Sequence, residues 1–276
     1  FFFKQKTAYE IRNCDWSSDV CSSDLRRGDG PLQAAGVLLD VDTGLIRAVY
    51  GGSDVTSISF NRATQARRQA GSSFKPLVYA MAFTEKNPDG TPRFTAASTE
   101  PNAPRLFKTP QGDWRPRNVG GEYSETACLA QGLAWSQNIA TASLLEEMGG
   151  PKKLIAFAQK LGFDTSHFPE EMGLALGQGE VTPLEMAQFA ATVSNGGHKI
   201  TGSPVLRAVD AAGVERIGSP VAGEAVLDPE AAAAAGLGSA SAASAPLPTL
   251  MHMGYGAPHH RHMLTSNHQE IGRAHV

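Results

Sequence analysis

Cysteine is scarce in this 276-residue chain: there are three. Cys14 and Cys21 fall within the first 25 residues, so Cys128 stands alone in the rest of the chain. A single thiol cannot form an internal disulfide, and no cysteine metal motif is present. No apolar run is long enough to span a bilayer. Neither sign of charge dominates: 24 Lys and Arg stand against 27 Asp and Glu, for a net charge of −3. That balance offers no electrostatic footprint for nucleic acid, and no nucleic-acid partner is expected. Six of the eight histidines lie at or after His252, in a tail that follows an Ala/Ser/Gly/Pro-rich stretch.

The first 25 residues lack the order of a signal peptide and any amphipathic period. Residues 1–25 and residues 270–276 resemble the conceptual translation of a short-read sequencing adapter, read from its two strands. They are set aside from fold reasoning, which leaves 20 basic and 22 acidic residues. Residues 230–269 are low in complexity and read as a linker or as a stretch in another reading frame, with a metal-binding histidine tail as the alternative. The expected body is 26–229.

Within it, Ala35–Val41 and Leu45–Tyr50 read as a hairpin about the turn Asp42-Thr43-Gly44, where glycine takes positive φ at little cost. The basic segment Ser53–Arg68, with Arg67-Arg68, reads as a solvated loop leading into the next helix, with a role near a substrate carboxylate as the alternative. Residues 91–123 are rich in Pro, Gly and polar side chains and read as an irregular connection, with Trp114 as its anchor. Helical periodicity is expected over Thr126–Ala134, broken at Trp135-Ser136-Gln137-Asn138, and resumed over Ile139–Met148. A short amphipathic helix, Lys152–Leu161, ends at Gly162. Thr182-Pro183-Leu184-Glu185 is a capping box with proline at the first helical position, opening a helix over Leu184–Val193. Val205–Val209 reads as a strand that meets the turn Ala211-Ala212-Gly213.

The chemistry centres on Gln69-Ala70-Gly71-Ser72-Ser73-Phe74-Lys75-Pro76, at the mouth of an apolar helix running to about Lys86. Residues three apart on a helix share a face, so Ser72 and Lys75 point the same way. A serine hydroxyl needs a base to take its proton. A desolvated lysine amine titrates low enough to serve. Ser-x-x-Lys alone is a short pattern, and a capped helix start with an exposed lysine explains it equally well. A second motif, Ser136-Gln137-Asn138, follows 64 positions after Ser72 at the break between helical segments. It too has a plain reading, as an ordinary capping site.

Taken in order, FNRATQARRQAGSSFKP, WRPRN, WSQNIAT and LALGQGEVTPLEMA resemble the transpeptidase domain of class A (bifunctional) penicillin-binding proteins, over about Gly30–Pro229. The resemblance implies an α+β fold of the penicillin-binding protein/β-lactamase-like class: an antiparallel sheet flanked by helices, plus a helical lobe. It implies a peptidoglycan D,D-transpeptidase with Ser72 as nucleophile, Lys75 as general base, Ser136 as proton relay and Asn138 holding the substrate peptide. It implies no metal or organic cofactor. The implied partners are stem peptides ending in D-Ala-D-Ala, with β-lactams as inhibitors. The implied setting is the extracytoplasmic (periplasmic) face of a bacterial membrane, beside a glycosyltransferase domain. The pattern departs in one respect: no Lys-Thr-Gly or Lys-Ser-Gly follows Ser136. The fold is therefore expected to be truncated before that strand, as an internal fragment inactive as it stands. A D,D-carboxypeptidase, a β-lactamase and a non-catalytic penicillin sensor or scaffold remain as alternatives. The β-lactamase lacks its usual Asp between Ser136 and Asn138, and the segment Phe168–Gly173 lacks its deacylating Glu pattern.

Overall fold

The computed structural model describes residues 34–52, 60–217 and 223–239. The terminal stretches set aside above lie outside these residues, as does most of the low-complexity region.

One helix forms the centre. Helix α1 (Lys75–Thr84) is buried at every position from Lys75 to Phe83. A helix apolar all round must be enclosed by others. Its shell comprises α2 (Leu129–Ala134), α3 (Asn138–Glu147), α4 (Pro151–Leu161) and α6 (Pro229–Ser239). Helix α5 (Pro183–Ser194) packs on α6 and on the first strand. Helix α4 shows the opposite pattern to α1: it buries Leu154, Ala158 and Leu161 and turns its lysines outward. It ends at Gly162, whose φ of 96° closes the helix in the left-handed conformation. The Thr182 capping box forms as the sequence predicts: Thr182 Oγ1 accepts from the Glu185 N–H at 3.2 Å, and the Glu185 carboxylate accepts from the Thr182 N–H at 2.7 Å. Helix α6 extends past the expected end of the body and seats Ala231, Ala232 and Ala235 in the core. Small side chains there allow close approach to α1.

The strands are short. The hairpin β1 (Gly36–Leu39) and β2 (Ile46–Tyr50) is antiparallel, with Val37 opposite Val49. Asp40 holds its turn by accepting from the Thr43 N–H and hydroxyl, and Arg47 and those bonds keep its carboxyl down at about 2. Four further two-stranded pairings follow. Strand β3 (Arg68–Gln69) pairs with β8 (Glu180–Val181), and β4 (Thr99–Pro101) with β7 (Thr126–Cys128). Strand β5 (Phe107–Thr109) pairs with β6 (Gly112–Trp114), and β9 (Ala208–Val209) with β10 (Glu215–Ile217).

Four expectations need correction. The α-helix begins at Lys75, because Gly71–Phe74 first make a tighter 3-10 turn. Thr126–Cys128 is a strand because β4 supplies its backbone partners, and helix starts only at Leu129. The connection 91–123 is not irregular throughout: it carries β4, β5 and β6, with Trp114 packed on Phe107 at 5.4 Å. Arg67 and Arg68 are not solvated. Arg68 sits half-buried in β3, while Arg67 bridges Asp164 at 2.6 Å and Glu185 at 3.4 Å.

Candidate active site

The site is built where α1, α3 and a glycine-rich loop converge. Gly71 leaves β3 with φ of 56°, a conformation that glycine adopts without strain, and turns the chain into residues 71–74. Its N–H donates to Gly177 O at 3.1 Å, and the Ala70 N–H reaches Gly179 O at 3.4 Å. The loop at 177–179 thus braces the turn from behind. Phe74, fully buried beneath it, meets Phe168 edge-on at 5.5 Å and Phe163 at 6.3 Å. This aromatic floor fixes the turn by packing.

The two adjacent serines differ. Ser73 donates its hydroxyl to Ala70 O at 2.6 Å and so belongs to the turn. Ser72 is exposed, and among the described residues nothing ties its hydroxyl down. In a 3-10 turn residues i and i+3 eclipse, which places Ser72 on the side from which Lys75 departs.

Lys75 is only 1% exposed. Its Nζ donates to Ser136 Oγ at 2.9 Å, to Asn138 Oδ1 at 2.7 Å and to the Ser136 carbonyl oxygen. Burial pushes the amine down to about 7. The cause is desolvation of the charged form, and no carboxylate offsets it. The ammonium form makes all three bonds; the neutral form, accessible near 7, can make two of them and leaves a lone pair to take a proton.

Ser136 reaches Lys75 by an unusual backbone. Its φ of 53° is the one positive value at a non-glycine among the described residues. The conformation costs about 1–2 kcal/mol for an ordinary L-residue. It is held by the Ser136 N–H on Leu133 O at 3.1 Å and the Gln137 N–H on Gly132 O at 2.8 Å. One turn along α1, Tyr79 meets Thr141 Oγ1 at 3.2 Å, and Thr141 donates to Gln137 O at 2.6 Å. Lys75 and Tyr79 share one helical face, and both stitch α1 to the start of α3. Gly132 leaves room for the Tyr79 hydroxyl, since a Cβ would lie 2.5 Å from it and force the buried Tyr79 to shift.

The structure thus brings together Lys75, Ser136 and Asn138, and sets Ser72 in the exposed turn ahead of them. Sequence reasoning missed Asn118, which lies buried against the start of α3 and accepts from the N–H groups of Asn138 at 2.8 Å and Ile139 at 3.0 Å. The short Trp-Arg-Pro-Arg-Asn segment that ends on it was the available signal. Sequence reasoning also missed the backing role of Gly177. Among the described residues no cluster of His, Cys, Asp and Glu could hold a metal ion.

An exposed hydroxyl one turn ahead of a buried amine, with a second hydroxyl on that amine, is an arrangement suited to acyl transfer. The comparisons with known proteins agree. Residues 34–235 match the model of the penicillin binding protein transpeptidase domain. The chain belongs to that family. Penicillin-binding protein 1A of Neisseria lactamica is 38% identical over 189 residues, covering 66% of this chain and 22% of the relative. Penicillin-binding protein 1A of Pseudomonas aeruginosa is 36% identical over 185 residues, covering 63% of this chain and 22% of the relative. Among solved structures, penicillin-binding protein 1A from Haemophilus influenzae aligns with a TM-score of 0.60 at 33% identity, over 69% of this chain and 28% of that one. The PonA1 protein from Mycobacterium tuberculosis in complex with penicillin V aligns with a TM-score of 0.62 over 80% of this chain and 59% of that one; at 22% identity it speaks for the fold alone. The fold is of the penicillin-binding protein/β-lactamase-like class, and the chain is the transpeptidase domain of a class A penicillin-binding protein. It spans about a fifth of the length of the curated relatives it matches.

Proposed function

We propose that this domain is a peptidoglycan D,D-transpeptidase that β-lactams acylate. The observation that carries the reading is Lys75: a buried amine brought down to about 7, held on Ser136 Oγ and Asn138 Oδ1, one turn after an exposed serine. In the proposed reaction Lys75 takes the Ser72 proton as Ser72 Oγ attacks the carbonyl between two terminal D-alanines. The Ser72 backbone N–H, at the head of a helix, is one donor to the oxyanion. Ser136 passes the proton to the leaving amine and D-alanine departs, leaving an ester on Ser72. An amine of a neighbouring stem peptide attacks that ester and restores the Ser72 hydroxyl. Two steps through a covalent intermediate replace one difficult displacement. Asn138 holds the donor peptide group. The proposal places the domain on the periplasmic side of a bacterial membrane, in a protein that also carries a glycosyltransferase domain.

A β-lactamase needs a base that activates water against the ester. Glu170, in the segment where such a base could be sought, is exposed and lies 3.5 Å from Lys152. Its ion-pair partner is that lysine, and among the described residues neither Lys75 nor Ser136 bonds to it.

The test uses the chain continued by a Lys-Thr-Gly strand, incubated with a stem peptide ending in D-Ala-D-Ala and a second stem bearing the acceptor amine. Mass spectrometry should find free D-alanine and a crosslinked dimer in equal amounts. D-alanine without dimer would make the domain a carboxypeptidase. A penicillin adduct without turnover of peptide would make it a sensor.

A further inference from the structure

Helix α3 begins without a cap of its own. Its N-cap residue, Gln137, makes no side-chain hydrogen bond to the first turn. The first N–H groups of a helix need acceptors from elsewhere. Here they come from Asn118, twenty residues upstream, whose Oδ1 takes the N–H groups of both Asn138 and Ile139.

Asn118 is itself fixed. It is 6% exposed, and its Nδ2 donates to Asn102 Oδ1 at 2.9 Å and to Glu122 O at 3.1 Å. Both amide hydrogens and both lone pairs are engaged, so its amide has one orientation. Asn102, fully buried, is held in turn by donating to Ser124 Oγ at 2.9 Å and by its own N–H on Glu125 O at 3.0 Å.

The neighbouring peptide completes the device. The carbonyl of Arg117 accepts from Asn138 Nδ2 at 2.6 Å. That bond decides which way the Asn138 amide faces: nitrogen toward Arg117, oxygen toward Lys75. A flipped Asn138 would set two N–H hydrogens against the Nζ of Lys75. The loop therefore sets both the position of the α3 first turn and the orientation of the amide that holds the lysine.

We propose that Asn118 is a positioning residue for acyl transfer, acting with the Arg117 carbonyl to aim Asn138 Oδ1 and Ser136 at the amine of Lys75. This rests on reading Ser72, Lys75, Ser136 and Asn138 as the reacting set. Asn118 touches none of the reacting atoms, so its effect falls on the rate of acylation and not on encounter with the drug.

Two variants separate the roles. Asn118→Ala removes the acceptor of both N–H groups. Asn118→Asp keeps an oxygen there, with a charge that suits a helix N-terminus, but sets its second oxygen against the acceptors Asn102 Oδ1 and Glu122 O. In the chain continued by a Lys-Thr-Gly strand, Asn118→Ala should slow the acylation step by benzylpenicillin about 10- to 100-fold, the scale of a small misplacement of catalytic groups. Its noncovalent binding constant should change little, and Asn118→Asp should recover the rate only in part, because it keeps the acceptor for the two N–H groups but loses both donors to Asn102 Oδ1 and Glu122 O. In the 276-residue chain, hydrogen exchange at the Asn138 and Ile139 amides should accelerate in Asn118→Ala, and the NMR titration of the Lys75 side chain should move from its wild-type midpoint. An unchanged acylation rate in Asn118→Ala, or loss of rate wholly through weaker binding, would overturn the proposal. If Asn118→Ala does not fold, Asn102→Ala takes its place, with a several-fold slowing expected and an unchanged rate contradicting. If the wild-type protein is not acylated at Ser72, the acyl-transfer reading fails by itself. The positioning claim then rests on the Lys75 titration, and coincident curves for wild type and Asn118→Ala would refute it.

Discussion

Gly177 stands so close to Gly71 that a Cβ on it would fall 2.1 Å from the Gly71 carbonyl oxygen. Its φ of 80° would strain a side chain in any case. The glycine is therefore part of how the nucleophile turn is held, although it lies 105 positions from Ser72.

Gly177→Ala should displace the 71–74 turn. Gly213 makes a fair control, since its φ of 78° is similar but a Cβ there would meet nothing within 4 Å. Gly213→Ala should cost only the backbone term, about 1–2 kcal/mol, and leave penicillin labelling intact. Gly177→Ala should cost more and also slow labelling at Ser72. Equal melting temperatures and equal labelling rates in the two variants would show that the brace does not matter.

Lys75 gives a pH dependence with a definite sign. Its amine must be neutral to take the Ser72 proton, so acylation should rise with pH through a midpoint near 7 and level off above it. Because the folded value lies below the ordinary value of 10.5, the folded protein binds fewer protons than the unfolded chain between 7 and 10.5. Stability contributed by this group therefore increases with pH across that window and is lowest below it. Lys75→Ala should slow acylation by about 10²–10⁴-fold, with no rising limb near 7. Stopped-flow labelling across pH measures both.

Ser136 is held in a backbone conformation that favours glycine. Ser136→Gly and Ser136→Ala both delete the hydroxyl on Lys75, and both should slow acylation alike. They should differ in stability, with the glycine variant the more stable by about 1 kcal/mol. Thermal melts of the pair measure the strain directly. A less stable glycine variant would mean that the positive φ carries no cost.

Glu100 lies on β4 against α3, buried and beside Glu147. Burial first, then the Glu147 charge, push its carboxyl up to about 7, against the pull of Arg105 and Arg93. The folded state thus holds a proton that the unfolded chain gives up near 4.5. The stabilising contribution is complete below 4.5 and is lost as pH rises to 7. Glu100→Gln, which can still donate to Glu147, should be neutral at pH 4 and should stabilise by about 2 kcal/mol at pH 8. Melting temperatures at the two pH values decide it.

The helical part of the fold was legible because its signals are local. The capping box at Thr182, the glycine after Leu161 and the break at Trp135–Gln137 each act within one turn of chain. The strands β4 and β7 were not legible, because three residues of Thr-Glu-Pro or Thr-Ala-Cys carry no period. Their pairing comes from a partner some 25 residues away. The paired motifs of the site could be read from residue type and order, and the family comparison extends to the helix at 229–239, past the expected boundary. The supports of the site could not be read. Asn118 and Gly177 lie in stretches the resemblance picks out, but they act across long separations through one buried amide and one missing Cβ, so the stretches give their place and not their role. Arg67 looked like a solvated charge for the same reason: Asp164 and Glu185 meet it only in three dimensions.

The central claim is that Ser72, and not Ser73, carries the acyl group. The measurement is peptide mapping by mass spectrometry of the chain, continued by a Lys-Thr-Gly strand, after reaction with benzylpenicillin. The account predicts one adduct per molecule on Ser72, abolished in Ser72→Ala and retained in Ser73→Ala. An adduct on Ser73, or full labelling of Ser72→Ala, would contradict it.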